Sequence, residues 1–192
     1  VGGGIPIIRP ICQCLAANRI CEIHGILNGT TNYILTQMFH NDKTFEQALH
    51  EAQDKGYAEK DPTADVEGID ACRKIAILSA LAFGKIVDTA EIHTEGITNI
   101  TPEDVADATK YGGAFKPIAS TFSKDGKIGI FVSPAVVPNE SPLCSVEDVF
   151  NGILVRGDSV GDVMFYGRGA GNLPTASAVV ADMIDIMSHS DM

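Results

Sequence analysis

Nine consecutive residues, Ile75 to Phe83 (I-A-I-L-S-A-L-A-F), contain no charge, no glycine and no proline. They follow the polar stretch Asp70 to Lys74, and together with it predict one helix from about Asp65 to Phe83. Its second half is apolar on every side, so that half is expected to be buried on all sides. A chain with such a helix must supply a layer to cover it.

The second half of the sequence offers that layer. Pro117 to Phe122, Ile128 to Val137, Gly152 to Val155 and Val163 to Tyr166 have strand character, with Asp125-Gly126 as a hairpin turn between the first two. Ile20 to Leu27 reads as an earlier strand, and Ile11 to Ala17 as a short helix. Asn28 to Thr31 break that strand and cap a helix through Tyr33, Ile34, Met38 and Phe39. Thr44 with Gln47 is a capping box ahead of Phe45, Ala48, Leu49 and Ala52. Lys55 to Thr63 is a polar loop. Thr101-Pro102-Glu103-Asp104 starts a further helix with a cap, a first-turn proline and acids against the dipole. In the last helix Ala176, Val179, Val180, Met183, Ile184 and Met187 share one face, opposite Asp182 and Asp185. Hairpins and helices interleaved in this way predict an α/β (α+β) fold: a mixed, mostly antiparallel sheet covered by helices in a single two-layer domain, residues 1–192. No repeat and no internal domain boundary is visible.

Composition narrows the function. Lys and Arg number 14 against 25 Asp and Glu, a formal charge of −11, which repels phosphate backbones and anionic lipid. Aromatic residues are 6% with no Trp, so stacking platforms for single strands are not expected. No apolar run approaches the roughly 20 residues that span a bilayer. The partner expected is a small molecule, not nucleic acid or membrane. Five cysteines (Cys12, Cys14, Cys21, Cys72 and Cys144) with no C-x-x-C are expected to be reduced thiols. Cys12 and Cys14 with His24 lack zinc-site spacing. The chain opens Val1-Gly2-Gly3-Gly4, without Met or a signal segment, and reads as the interior of a longer protein.

The chemistry concentrates in Ala52 to Lys74, where Glu59, Asp61, Asp65, Glu67, Asp70, Arg73 and Lys74 crowd a loop and a helix start. Asp70 and Lys74 are four apart and share a helix face. Spacing alone favours a surface ion pair worth a few tenths of a kcal/mol. The alternative is a carboxylate orienting an ammonium that handles a proton. The pair lies where the helix turns apolar, so partial burial would draw the lysine from ~10.4 toward a useful range. Asp61-Pro62 and Asp65 are read equally as helix initiation.

The stretch resembles homoserine dehydrogenases. Ala52, Gly56, Asp61-Pro62, Asp65, Gly68, Asp70 and Lys74 match that family's signature at every fixed position. Val1 to Ile8 is similar to the family's segment after its nucleotide-binding domain, and Gly25 to Ile34 (G-I-L-N-G-T-T-N-Y-I) to its substrate loop. Gly167-Arg168-Gly169-Ala170-Gly171 with Pro174 to Val179 is similar to its closing helix. The resemblance implies interconversion of L-aspartate 4-semialdehyde and L-homoserine with NADP or NAD, in threonine, methionine and isoleucine biosynthesis. It implies Lys74 as the proton-transferring lysine, with Asp70 its catalytic, substrate-binding partner. Glu59 would hold the substrate ammonium, with Asp65, Gly29 and Thr30 in the same pocket. It further implies Gly171 as a cofactor contact, and backbone carbonyls of Val1, Gly3 and Ile5 as ligands of a monovalent cation, sodium. A homodimer and a cytoplasmic location are also expected.

The departures define what this stretch would be. Gly167-x-Gly169-x-Gly171 is not a dinucleotide fingerprint, because no acidic residue follows at the right distance in a βαβ unit. The family's nucleotide-binding domain, a second active-site lysine and a cation-binding glutamate would all lie upstream of Val1. The expectation is a substrate-binding, catalytic and dimerisation domain, inactive in isolation. A related semialdehyde dehydrogenase domain, or a non-catalytic amino-acid-binding or assembly domain, are the alternatives.

Overall fold

The computed structural model describes residues 1–189. After a short π-helical turn, Pro10–Cys14, where a helix over Ile11 to Ala17 was expected, β1 (Ile20–Ile26) leads to α1 (Gly29–Asn41) and α2 (Phe45–Asp54). Then come α3 (Thr63–Val66), α4 (Ile69–Phe83), β2 (His93–Thr94) and α5 (Pro102–Lys110). The chain closes with β3 (Gly113–Lys124), β4 (Lys127–Pro138), β5 (Phe150–Gly157), β6 (Gly161–Arg168) and α6 (Asn172–His189). One six-stranded sheet runs in the order β2-β4-β3-β1-β5-β6. Every neighbouring pair is antiparallel except β2 with β4. The expected mixed, mostly antiparallel α/β architecture is what forms.

Local chemistry accounts for the elements. The expected capping box of Thr44 with Gln47 closes, and the expected Thr101 cap forms a second box with Asp104. Between β3 and β4, Asp125 and Gly126 take φ of 52° and 74°, the left-handed pair that a two-residue hairpin requires. The strands run longer than their apolar cores, because sheet pairing continues through polar residues such as Lys124 and Lys127.

Two expectations about the long helix are corrected. The stretch from Asp65 to Phe83 is not one helix: α3 ends at Val66 and α4 starts at Ile69. Gly68 sits between them at φ 77°, which helical continuation forbids. A Cβ there would meet the Thr94 and Val132 side chains at 3.2 Å, so the sheet also crowds this point. Nor is the apolar half buried all round. Ala71, Cys72, Ile75 and Leu78 pack on Ile23, Ala119, Val132, Ile153 and Val155. Ile77 and Leu81, one turn apart, are 48% and 38% exposed. A helix on a single sheet buries only the stripe facing it. Truncating Ile75 or Leu78, both wholly buried, to Ala is expected to cost about 2–5 kcal/mol.

A second cluster joins α1, α2 and α5 through Tyr33, Ile34, Leu35, Met38, Ala48, Ala52 and Val105. On the opposite sheet face, Ile26, Ile118, Val137 and Leu154 lie under Leu143 and Val146 of the segment before β5. α6 turns its acids toward the N-terminal segment, where the partly exposed Arg9 pairs with Asp182 at 2.8 Å and Asp185 at 3.0 Å. Its apolar face, with Val179, Val180, Met183, Ile184 and Met187, is exposed among the described residues.

Candidate functional site

β1 delivers the chain to the site. It ends at Ile26, and Asn28 caps α1 by accepting from the Thr31 backbone N–H at 2.9 Å. That fixes the Asn28 side chain, whose Nδ2 donates to Asp65 Oδ1 at 2.7 Å and Asp70 Oδ2 at 2.9 Å. On α4, Lys74 Nζ donates to the same Asp70 oxygen at 2.7 Å and to the Leu27 carbonyl at 3.0 Å. An ammonium has three N–H groups, so one is left for a ligand. The side chains of Lys74 and Asp70 are 26% and 31% exposed, the partial burial that the sequence led us to expect.

Gly29 and Thr30 follow on the first turn of α1. A Cβ on Gly29 would come within 2.7 Å of the Val149 carbonyl, so only glycine fits there. Thr30 Oγ1 donates to the Tyr57 carbonyl at 2.7 Å, tying the loop after α2 to this turn. That loop is further held by Lys55, which bonds Glu51 at 2.7 Å and the Tyr33 hydroxyl at 2.8 Å. Lys43 and then Lys55 hold the Glu51 carboxyl at about 2, and burial pushes the Tyr33 hydroxyl up.

These groups line a cavity of about 510 Å³. Asn28, Gly29, Thr30, Asp65, Asp70 and Lys74 form one wall, with Asn151, Arg168, Gly169 and Gly171 on the other. Arg168 is held over the Phe150 ring at 5.0 Å, and Gly171 takes φ 121° just before α6. Another cleft, about 480 Å³, lies beside Leu15, Arg19, Leu81 and Lys85, away from this cluster of carboxylates and lysine.

Of the residues singled out in the sequence, Asp65, Asp70, Lys74, Gly29, Thr30 and Gly171 come together here. Glu59 does not join the lining. It is exposed, two residues beyond Tyr57, and its carbonyl accepts from Gln53 at 3.1 Å. Val1, Gly3 and Ile5 lie along α6 with Ala178 and Ala181, behind the Gly169 loop: a Cβ on Gly3 would meet the Gly169 carbonyl at 3.1 Å. Among the described residues no group of three or more His, Cys, Asp or Glu stands ready to hold a metal. Cys12 and Cys14 are exposed free thiols, and His24 bonds Ser120 and Glu22 instead.

Asn28 and Asn151 were missed. Asn28 stood inside the quoted N-G-T-T, where capping explains it fully. Asn151 stands just before the expected strand Gly152 to Val155, and periodicity carries no sign of what lies opposite it.

Comparison with known proteins agrees with this geometry. A family model described as homoserine dehydrogenase matches residues 6–184. Homoserine dehydrogenase of Synechocystis sp. is 50% identical over 191 residues, covering 97% of this chain and 44% of that protein. The crystal structure of a homoserine dehydrogenase from Thiobacillus denitrificans superposes with a TM-score of 0.94 at 46% identity, over 97% of this chain and 43% of that one. A hyperthermophilic archaeal homoserine dehydrogenase mutant, solved in complex with NADPH, gives 0.80 at 34% identity, over 96% of this chain and 52% of that one. The chain therefore spans less than half the length of the curated relatives it matches, 44% in the Synechocystis case.

Proposed function

The chain belongs to the homoserine dehydrogenase family, and on that premise we propose that residues 1–192 form the substrate-binding, catalytic and dimerisation domain of such an enzyme. The reaction is the NAD(P)-dependent interconversion of L-aspartate 4-semialdehyde and L-homoserine, in the cytoplasmic synthesis of threonine, methionine and isoleucine. One observation carries this reading: a lysine ammonium in the cavity wall, held by Asp70 and the Leu27 carbonyl, with a third N–H left for a ligand.

In the reducing direction Lys74 gives its proton to the oxygen on the substrate's terminal carbon as negative charge grows there. In oxidation it takes the proton back. Asp70 keeps the ammonium in place and leaves a second carboxylate oxygen for the substrate. Asp65 adds negative charge beside it, which suits a substrate carrying an ammonium group. Glu59, beyond the cavity lining, is assigned the substrate ammonium on the family resemblance. Gly29 and Thr30 form the wall against which the amino-acid end lies.

The second wall fits a nicotinamide cofactor. Gly171 presents no side chain to the cavity, and the Asn151 amide there bonds to no other described residue, so a flat polar ring finds a partner on this wall. When bound, the cofactor supplies or accepts the hydride. The chemistry of this domain's own residues is otherwise binding and proton transfer. Sodium is assigned to the carbonyls of Val1, Gly3 and Ile5. The Ile5 carbonyl already accepts from the Ile7 N–H at 2.8 Å and retains a second lone pair.

The homodimer has its support in the sheet. On the face away from α4, Phe122 is 36% exposed, and Phe131 on the neighbouring strand is partly exposed, apolar rings that a two-fold partner would cover. No helix of the described residues is long and apolar enough to cross a membrane.

The test is homoserine-dependent reduction of NAD or NADP by the complete polypeptide. The 192 residues alone are expected to show none, and a complete polypeptide inert toward homoserine overturns the reading.

A further inference from the structure

The cavity wall facing Lys74 holds a polar group with no partner. Asn151 is 2% exposed, yet its side-chain amide bonds to no other described residue. It lies on the same side of β5 as Ile153 and Val155, the side that α4 covers. Across the sheet, Gly152 pairs with Ile26 on β1, and Asn151 pairs with Gly167 on β6. The ends of three neighbouring strands therefore line up: Leu27, whose carbonyl takes Lys74, then Asn151, then the Gly169 turn. Neighbouring strands are about 4.8 Å apart, so a ligand reaching from Lys74 to the glycine turn must pass over Asn151.

The position is built for the amide. A Cβ on Gly169 would lie 2.5 Å from Asn151 Cγ and Oδ1 and 2.6 Å from Nδ2, so glycine is what leaves that amide its space. From beneath, Asn32 Nδ2 donates to the carbonyls of Val146, Asp148 and Phe150, fixing the backbone that enters β5. The amide lines the cavity, so its donor and acceptor stay open to a ligand that pairs them.

We propose that Asn151 is a cofactor-specificity residue that pairs with the carboxamide of the nicotinamide ring. The proposal rests on the homoserine dehydrogenase reading and deepens it. Chemistry selects this group among those available. The amino-acid substrate offers an ammonium, a carboxylate and one oxygen at the reacting carbon, and the charged residues of the opposite wall suit these. A primary carboxamide is neutral and presents one acceptor beside one donor. That is the complement of Oδ1 and Nδ2 on Asn151. A carboxamide adjacent to the reacting ring carbon also falls within one strand spacing of the Lys74 site.

The experiment compares NADP with its 3-acetylpyridine analogue, which keeps the ring carbonyl and replaces the amide NH2 by methyl. Dissociation constants for both are measured by calorimetry on the complete polypeptide, as wild type, Asn151→Ala and the isosteric Asn151→Asp. Wild type is expected to favour the carboxamide by about tenfold. Asn151→Ala should level the two, and Asn151→Asp, which only accepts, should widen the preference. The same preference in all three proteins, or no binding of either nucleotide by wild type, overturns the proposal. Homoserine oxidation by wild type is recorded alongside. If it is present while the preference does not change, the assignment of Asn151 alone fails. If it is absent while the preference shifts as expected, Asn151 stands and the homoserine reading falls.

Discussion

Lys74 Nζ lies 2.7 Å from Asp70 Oδ2, one helical turn back, in a pair only about a quarter to a third exposed. This geometry is shared by ordinary i, i+4 ion pairs and by oriented acid–base groups, and substitution separates the two. Lys74→Ala in the complete polypeptide is expected to lower kcat by ~10²-fold or more, the usual scale of positioned proton transfer. Its melting temperature should change little, because a partly exposed pair contributes under about 1 kcal/mol. Lys74→Arg should not rescue, since guanidinium keeps its proton. Near-native kcat in the Arg variant would make the role electrostatic alone, and an unfolded Ala variant would make it structural.

Asn28 serves the helix and the site with different atoms of one amide. Its Oδ1 caps α1 and its Nδ2 holds Asp65 and Asp70. Asn28→Ala is expected to lower stability by about 1–2 kcal/mol, the scale of a lost cap. Asn28→Asp keeps the cap acceptor but sets a third carboxylate against the other two. It should lose kcat/KM more than the cap loss explains. Urea melts and steady-state kinetics on both variants check this, and full activity in the Asp variant would reduce Asn28 to a cap.

Glu59 is exposed, outside the cavity lining. If it holds the substrate ammonium, that bond is equally strong in the ground and transition states. Glu59→Gln should then raise KM for homoserine by about tenfold, the low end for a charge-assisted bond, with kcat unchanged. An unchanged KM removes it from the site.

Lys116 is 4% exposed, with Nζ bonded to the Val146 carbonyl at 2.7 Å. Burial pushes its pKa below 10.5, opposed by Glu147, Cys144 and Asp148 nearby. The unfolded chain therefore binds more protons here than the folded one, between the lowered value and 10.5. This group's contribution should make stability rise with pH through that window and stay flat below it. Thermal melts of wild type and Lys116→Met across alkaline pH should differ in slope there. Parallel curves would show that burial does not shift this lysine.

What the sequence disclosed was local. The Thr44 box with Gln47, the Thr101 cap and the Asp125-Gly126 turn each act through neighbours within three residues, and each appears as read. Asp70 and Lys74 share a helix face for the same reason. Strand order is not local: β1 lies between β3 and β5, some hundred residues away. The partner of α6's acids also escaped, because the helix's apolar stripe is the stronger periodic signal while Arg9, far upstream, takes those acids. Asn151 depends on Gly169 across β6, a relation no window of sequence contains.

The glycine between α3 and α4 has a consequence for the site's reach. On an unbroken helix, residues five apart point about 140° away from each other. Asp65 and Asp70 would then face different directions, and no single amide could touch both. With the axis interrupted at Gly68, the two carboxylates converge on Asn28 within 2.9 Å. The defect in the helix thus acts as a corner: it folds one line of sequence into two sides of a receptacle. A chain that healed it with a helix-forming residue would gain a longer rod and lose the angle that gathers its acids.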